Sequence, residues 1–431
     1  MAKIYPFRGV RYNLKVVGDL SLVVTQPYDR IGPKEEAGYL KRSPYNFVRL
    51  IGTKNPPKDE AEYQKRAELF REWLAQGVLV RDEEPGLYLY RVRFTHEGKS
   101  FERLGFVALL DLRESQVRKH ERTLRGPKED RLKLFRATEA HLEHIFLLYR
   151  DPERKATQAL LSAVGGQAPG MRAKDDFGNT HEMWHVSEPG AIEAVQEALG
   201  PLPVYIADGH HRFETAGIFM EECFQKGWKP LGPESFTSIP VTLVNVAEPG
   251  CVIRPTPRVV HDLPRFSLTE FLRQAREDFE VEELPSFSAA KEHLALGVDR
   301  GEKVFVAYAE GKFYGLRLKK KPEEVVPGEH APAWKRLDVA ILHKAILEKI
   351  LGIDEEALAR GTNVEYTHTA EEAVKLMDEG KGQIAFLLNP TRVEDVLAVA
   401  DAAEPMPQKS TDFYPKLLSG LVAMKMEIAK P

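Results

Sequence analysis

The stretch Val204-Tyr205-Ile206-Ala207-Asp208-Gly209-His210-His211-Arg212-Phe213-Glu214-Thr215-Ala216 changes character in its middle. Pro203 to Ala207 is a short apolar run, the pattern of a buried strand. Asp208-Gly209 is a turn dipeptide. From about Arg212 to Gln225 the apolar residues recur at helical spacing, and Phe213, Ala216, Met220, Cys223 and Phe224 share one face. Strand, tight turn and helix in immediate succession make the building unit of an α/β fold, with the polar residues gathered at the joint.

The same alternation extends outward. The spacing predicts a hairpin of strands over 86–94 and 99–110, turning through His96-Glu97-Gly98. It predicts a helix from Pro127 to about Leu142 with Leu132, Phe135 and Leu142 inward, then a strand over Ile145–Tyr149 and a helix near Ala156–Val164. A second hairpin within Met171–Val186, a helix over Gly190–Leu199 and a strand over Ser238–Val246 come next. Before this core, residues 1–85 are rich in Pro and Asn turn signals and close on a helix near Pro57–Gly77. After it come a hairpin (Lys303–Tyr308 and Lys312–Leu318), a helix over Asp338–Ile350 and a strand over Ile384–Leu388. The expected class is α/β with a mixed sheet, in three parts: an N-terminal segment 1–85, a core 86–265 and a C-terminal α/β domain 266–431.

Composition narrows the function. The 431 residues are 43% hydrophobic and 29% charged, with a formal net charge of -4. No global basic field favours nucleic acid or an anionic membrane, so neither is expected as a partner. Two cysteines, Cys223 and Cys251, lie in no metal-ligand or disulfide-framework spacing. The opening Met1-Ala-Lys-Ile-Tyr-Pro-Phe-Arg8 lacks the apolar centre of a signal peptide, and the expected location is the cytoplasm.

Asp208-Gly209-His210-His211-Arg212 carries the chemistry. The first N–H groups of a helix have no partner inside it and sit at the positive end of its dipole. Gly209 lets backbone approach a ligand, and Arg212 brings a planar fork of donors that matches phosphate oxygens. His210 and His211 add donors, and Asp208 is placed to hold Mg2+ or take a proton. A lone Asp-Gly is an ordinary turn, and adjacent histidines rarely aim at one ion. The five residues together at a strand-to-helix joint make a phosphate site.

A second cluster, Lys119-His120-Glu121-Arg122-Thr123 with Gly126 to Arg131, offers Glu121 as a general base ahead of a turn. Lys128 and Arg131 stand near the start of the next helix, although charged runs of this kind are commonly solvated turns. A third, Met406-Pro407-Gln408-Lys409-Ser410-Thr411-Asp412-Phe413-Tyr414-Pro415-Lys416, suits a rigid loop that either lines a site or is merely structural.

Over nearly its whole length the sequence resembles a prokaryotic family known as a domain of unknown function (DUF 1015). The resemblance lies in Pro27-Tyr28-Asp29, Pro44 to Leu50, Gly126 to Leu132, Tyr205 to Thr215, and Met406 to Thr411 with Phe413 to Lys416. More distantly, Asp208 to Phe213 is similar to the phosphate-binding motif of the ParB/sulfiredoxin superfamily, and most of all to its free-serine kinases. His120-Glu121 matches, in order, the His-Glu pair that supplies their catalytic base. The Glu-Arg-Arg form of the partition proteins is absent, and His210 stands where sulfiredoxins carry cysteine. The 86 residues between Glu121 and Asp208 imply an insertion.

The resemblance implies a ParB/sulfiredoxin-like core and a nucleotide-dependent kinase that phosphorylates a small molecule, an amino acid, with free L-serine giving O-phosphoserine. It implies ATP or ADP as donor with Mg2+, Glu121 and Asp208 as catalytic groups, and phosphate held by Gly209, His210, His211 and Arg212. His120, Thr123, Lys128, Arg131, Lys409, Thr411 and Tyr414 are further candidates for substrate or phosphate contacts, and Asp208 for the metal. Two other readings remain open: a ParB-like nucleotide-sensing or DNA-associated module without turnover, and a metal-dependent hydrolase with Asp208, His210 and His211 as ligands.

Overall fold

The computed structural model describes residues 1–123 and 125–431. The fold is mixed α/β, and the chain divides into two compact units. The first comprises 1–118, 123–252 and 415–431, and the second 119–122 and 253–414. Of the core expected over 86–265, residues 86–118 and 123–252 share one unit with the segment expected over 1–85 and the last residues of the chain, and 119–122 and 253–265 belong to the other.

The first unit is built on a nine-stranded sheet of β1 (Ile4–Tyr5), β2 (Leu87–His96), β3 (Lys99–Asp111), β4 (Val117–Arg118), β5 (Ile145–Tyr149), β6 (Met171–Lys174), β7 (Thr180–Val186), β8 (Val204–Asp208) and β9 (Ser238–Asn245). Its order is β4-β8-β5-β9-β3-β2-β7-β6, with β1 added beside β3. The pairs β9–β5 and β8–β4 are parallel, and the rest are antiparallel. Every residue of β5 and β9 is buried, which is why both read as unbroken apolar runs rather than alternating ones. The longer helices of this unit include α1 (Ala61–Ala75), α2 (Arg125–Thr138), α3 (Lys155–Val164), α4 (Pro189–Leu199) and α5 (His210–Gln225).

Two helices differ from expectation in ways that bear on the site. Helix α2 ends at Thr138, not Leu142, because Glu139 takes a positive φ of 47° that no helix continues. Its buried face is Asp130, Arg131, Leu134, Phe135 and Thr138, and Leu132 is only partly covered. Helix α5 begins at His210, and its buried stripe runs through Arg212, Thr215, Ala216, Phe219 and Cys223. Met220 lies off that stripe and Phe224 is 44% exposed. The stripe is rotated because a charged residue, Arg212, takes an inward position that hydropathy assigns to its apolar neighbour.

The second unit carries an antiparallel six-stranded sheet: β10 (Arg258–Val260), β11 (Phe279–Leu284), β12 (Val304–Ala309), β13 (Lys312–Leu318), β14 (Val364–Tyr366) and β15 (Ile384–Leu388), in the order β11-β13-β12-β15-β10-β14. Val259, Val306, Tyr308, Phe313, Ala385 and Leu387 pack there against Ala290 of the helix Phe287–Arg300 and Ala373 of the helix Ala370–Asp378. The helix expected over Asp338–Ile350 is present, but it widens into a π-helix over Leu342–Glu348. Apolar spacing reports a helix and cannot resolve that change of winding.

Candidate functional site

Strand β8 delivers its last residue through a kink. Its register against β5 shifts between Ile206 and Asp208, so Tyr205 and Ile206 face Leu148 and Leu147 while Asp208 faces Phe146. One extra residue in a strand bends it and re-aims the side chains beyond the bend, here the Asp208 carboxylate. Gly209 then turns the chain at φ 97° and ψ 25°, and its carbonyl accepts the first helical hydrogen bond from Phe213 N at 2.9 Å. A Cβ at this glycine would lie 3.1 Å from Arg212 Nη2 and 3.2 Å from Ile145 Cδ1, so a side chain here would be crowded as well as strained by the positive φ.

Asp208 is ringed by cations. Its Oδ2 is 3.2 Å from Lys416 Nζ, with the two side chains 25% and 10% exposed. Burial opposes its ionisation, yet Lys416, Arg212 and Arg30 together hold its carboxyl well below the usual carboxylate range. Arg212 is 7% exposed and donates from Nη1 to the carbonyl of His144. Burial works against its charge, but Glu143, Asp208, Asp29 and Tyr28 outweigh it and raise the guanidinium pKa. The N-terminal segment reaches this place because Thr25 and Ser419 exchange backbone hydrogen bonds of 3.0 and 2.9 Å.

Behind Arg212, Glu143 accepts from Tyr28 N at 3.1 Å and from Ser419 Oγ at 2.9 Å. Arg131, 1% exposed, holds Asp130 at 2.5 Å, approaches Glu143 at 3.7 Å, donates to Ile51 O at 2.9 Å and lies 3.8 Å over the Tyr28 ring. Between Pro27, Glu143, Phe146, Asp208 and Arg212 is a cavity of about 10 Å³, room for one water molecule and no bed for a nucleotide. This buried layer fixes the inner side of Asp208 and Arg212.

His210 is 2% exposed, and His211 is partly exposed with its carbonyl accepting from Thr215 Oγ1 at 2.7 Å. Thr123 and Lys128 both meet Glu214 on α5, the lysine at 3.2 Å. Among the described residues no three His, Cys, Asp or Glu side chains group as a metal would require. Asp208, His210 and His211 therefore do not form the ligand triad of the hydrolase reading. A single carboxylate still suits Mg2+, which draws most of its ligands from phosphate and water.

Two further clusters come together in the second unit. The carbonyl of His120 accepts from Met406 N at 2.6 Å, and its ring Nε2 is 3.4 Å from Thr411 Oγ1. His120 is 1% exposed, while the Glu121 side chain is 43% exposed, 4.0 Å from His120 Nε2. The loop is pinned from within by Arg258, which is fully buried and donates from Nη2 to the carbonyls of Gln408 at 3.3 Å and Lys409 at 3.0 Å. Lys409 itself is exposed with φ 56°. Asp412 binds Arg254 at 2.8 Å, and that guanidinium lies 4.2 Å over the Tyr414 ring.

A family pattern matches residues 4–340, well over half of the chain. The chain belongs to the family described as Protein of unknown function (DUF1015). No curated protein matches it. Solved structures similar to this DUF1015 chain include a free serine kinase in complex with AMP, at 16% identity over 73% of this chain and 92% of that one, TM-score 0.35. Others are a conserved hypothetical protein from Pyrococcus furiosus, at 15% over 73% and 95% with TM-score 0.34, and SbnI with a C-terminal truncation from Staphylococcus aureus, at 8% over 74% and 87% with TM-score 0.35. Likeness at this level transfers no residue role. No helix among the described residues is long and apolar enough to cross a membrane.

Sequence reading missed Arg30, Glu143, Glu214 and Lys416 as parts of these networks. Arg30 directly succeeds Pro27-Tyr28-Asp29 and Lys416 ends the Pro-containing third cluster, so the signal for both was proximity to a motif. Glu143 and Glu214 carry no local signal, since only the packing of α2 and α5 shows what they bind.

Proposed function

We propose that the protein is a nucleotide-dependent kinase of small molecules that moves a phosphoryl group from ATP or ADP to the hydroxyl of free L-serine. The observation that carries the phosphate half is the β8–α5 joint. A left-handed glycine, the N-terminus of a 16-residue helix that its N-cap side chain does not bond, and a buried arginine in its first turn stand beside a carboxylate ringed by Lys416, Arg212 and Arg30. Helix N–H groups and guanidinium forks bind phosphate oxygens, and phosphoryl transfer depends mainly on positioning and neutralising them. In this reading Gly209, His210, His211 and Arg212 hold the phosphates. Asp208 would be the residue to hold Mg2+. The metal would neutralise charge on the transferred group.

Glu121 is the group assigned to the acceptor's proton, supported by its exposed carboxylate beside the buried His120. The L-serine acceptor and the ParB/sulfiredoxin-like relationship rest on motif resemblance. Thr123 and Lys128 act through Glu214, and Arg131 through Glu143 and Tyr28, as supports of the phosphate site. The test is phosphorus NMR of the protein with Mg2+, L-serine and either nucleotide. A phosphomonoester signal of O-phosphoserine that requires both protein and serine is the expected result. Nucleotide binding without any new phosphomonoester would replace the kinase by a sensing module.

A further inference from the structure

The turn that joins β6 to β7 displays an aromatic side chain at the surface: Phe177 is 65% exposed. The turn beneath it is clamped. Asp175, whose side chain is 1% exposed, accepts through Oδ1 from Phe177 N at 2.9 Å and Asn179 N at 3.0 Å. Through Oδ2 it accepts from Asn179 Nδ2 at 2.9 Å and His181 Nε2 at 3.0 Å. A carboxylate can only accept, so the His181 proton is on Nε2, and its Nδ1 accepts from the Tyr90 hydroxyl at 2.6 Å. Asp176, next along the turn, is held by the Tyr39 hydroxyl and by Arg42 at 2.6 Å. Burying the chain Tyr90–His181–Asp175 costs the desolvation of three polar groups, and what it fixes is the backbone on both sides of Phe177.

That turn stands beside the end of the β2–β3 hairpin. Thr180, the first residue of β7, pairs with Arg93 of β2, and the hairpin runs on past it. There Phe94 and Phe101 stack with ring centroids 5.3 Å apart and planes inclined by 18°. Phe94, Phe101 and Phe177, with Arg93, Glu102 and Asn179, help to line a cavity of about 510 Å³. It shares no lining residue with the cavity beside Asp208. Arg93 and Glu102 meet at 3.3 Å with their side chains 48% and 49% exposed, a pair that contributes little as it stands and can turn to a ligand.

A cavity of this volume suits a small molecule. Three phenyl rings offer faces and edges to a flat ring, a geometry that an aliphatic chain would not use. A guanidinium beside a carboxylate offers donors and an acceptor to the polar edge of such a ring. We propose that this cavity binds a planar heteroaromatic ring of nucleobase size, stacked on the phenyl rings with its polar edge toward Arg93 and Glu102. The clamp holds Phe177 before the ligand arrives, so binding does not have to order it. The site does not depend on the kinase reading.

The experiment is equilibrium dialysis of the full chain against adenosine and, separately, uridine, with ribose as the control that lacks a base. Saturable binding of at least one nucleoside and none of ribose is the expected result. Phe177→Ala should weaken that binding about tenfold, the size of one lost base–aromatic stack. Because Phe177 is 65% exposed, the variant should keep its fold, which circular dichroism checks. Absence of saturable binding of both nucleosides up to about 5 mM overturns the proposal. Binding that Phe177→Ala leaves unchanged lies elsewhere in the chain and overturns it equally.

Discussion

Replacing Asp208 by Asn tests the proposed phosphate site through two readouts that move in opposite directions. The substitution keeps shape and removes the charge that three cations surround. The Asp208–Lys416 pair, 25% and 10% exposed at 3.2 Å, stands between exposed pairs, worth about 0–1 kcal/mol, and buried pairs broken on one side, which cost about 3–5 kcal/mol. The expected loss is about 2 kcal/mol at neutral pH, measured by urea unfolding. Because the folded-state carboxyl sits below its unfolded value, that contribution is complete above the ordinary carboxylate range. It is lost only as pH falls through the depressed folded value. The gap between wild type and Asp208→Asn should therefore stay flat from pH 8 to about 5 and close in stronger acid.

Binding should respond the other way. Without Mg2+, Asp208 repels an incoming phosphate, and at about 5 Å with an effective dielectric near 20 that repulsion is on the order of 1–3 kcal/mol. Metal-free pyrophosphate should bind Asp208→Asn about tenfold more tightly by calorimetry. The strengthening that Mg2+ brings to wild type should vanish in the variant. An unchanged Mg2+ effect would refute the assigned role of Asp208, and unchanged metal-free affinity would place the phosphates elsewhere.

Gly209→Ala forces a side chain into a left-handed turn and against Arg212. It should cost about 1–2 kcal/mol of stability in urea and weaken phosphate binding about tenfold by calorimetry. Arg131→Met leaves Asp130 without its cation and Glu143 with Arg212 in place of two cations, and should destabilise the protein by about 3–5 kcal/mol in the same unfolding assay. An Arg131 that merely contacted substrate would change affinity and leave stability alone. Glu121→Gln should abolish turnover in a coupled kinase assay while nucleotide affinity stays within about twofold, and full activity in that variant removes Glu121 from the mechanism.

The β8–α5 joint was legible because each of its signals is local: an apolar run, an Asp-Gly turn and a helical stripe lie in adjacent residues. Strand β15 and the hairpin of β12 and β13 were equally clear, for the same reason. The rotation of α5 was not, since hydropathy puts Phe213 inward and no local rule predicts a buried Arg212. Nor was the bulge before Asp208, which depends on how β8 pairs with β5. The partners of Thr123, Lys128 and Arg131 were the least legible, because charged side chains near a helix start look alike until the packing is known.

By itself the sequence determined the α/β class, the turn at Gly209 and the types of group that a phosphate site uses, all of them consequences of backbone preference and residue chemistry within a few positions. Tertiary structure decided that Arg30 and Lys416, near opposite ends of the chain, bear on one carboxylate. It also decided that His120 meets Thr411, far along the chain. Electrostatic energy depends on distance in space and on burial, and separation along the chain specifies neither.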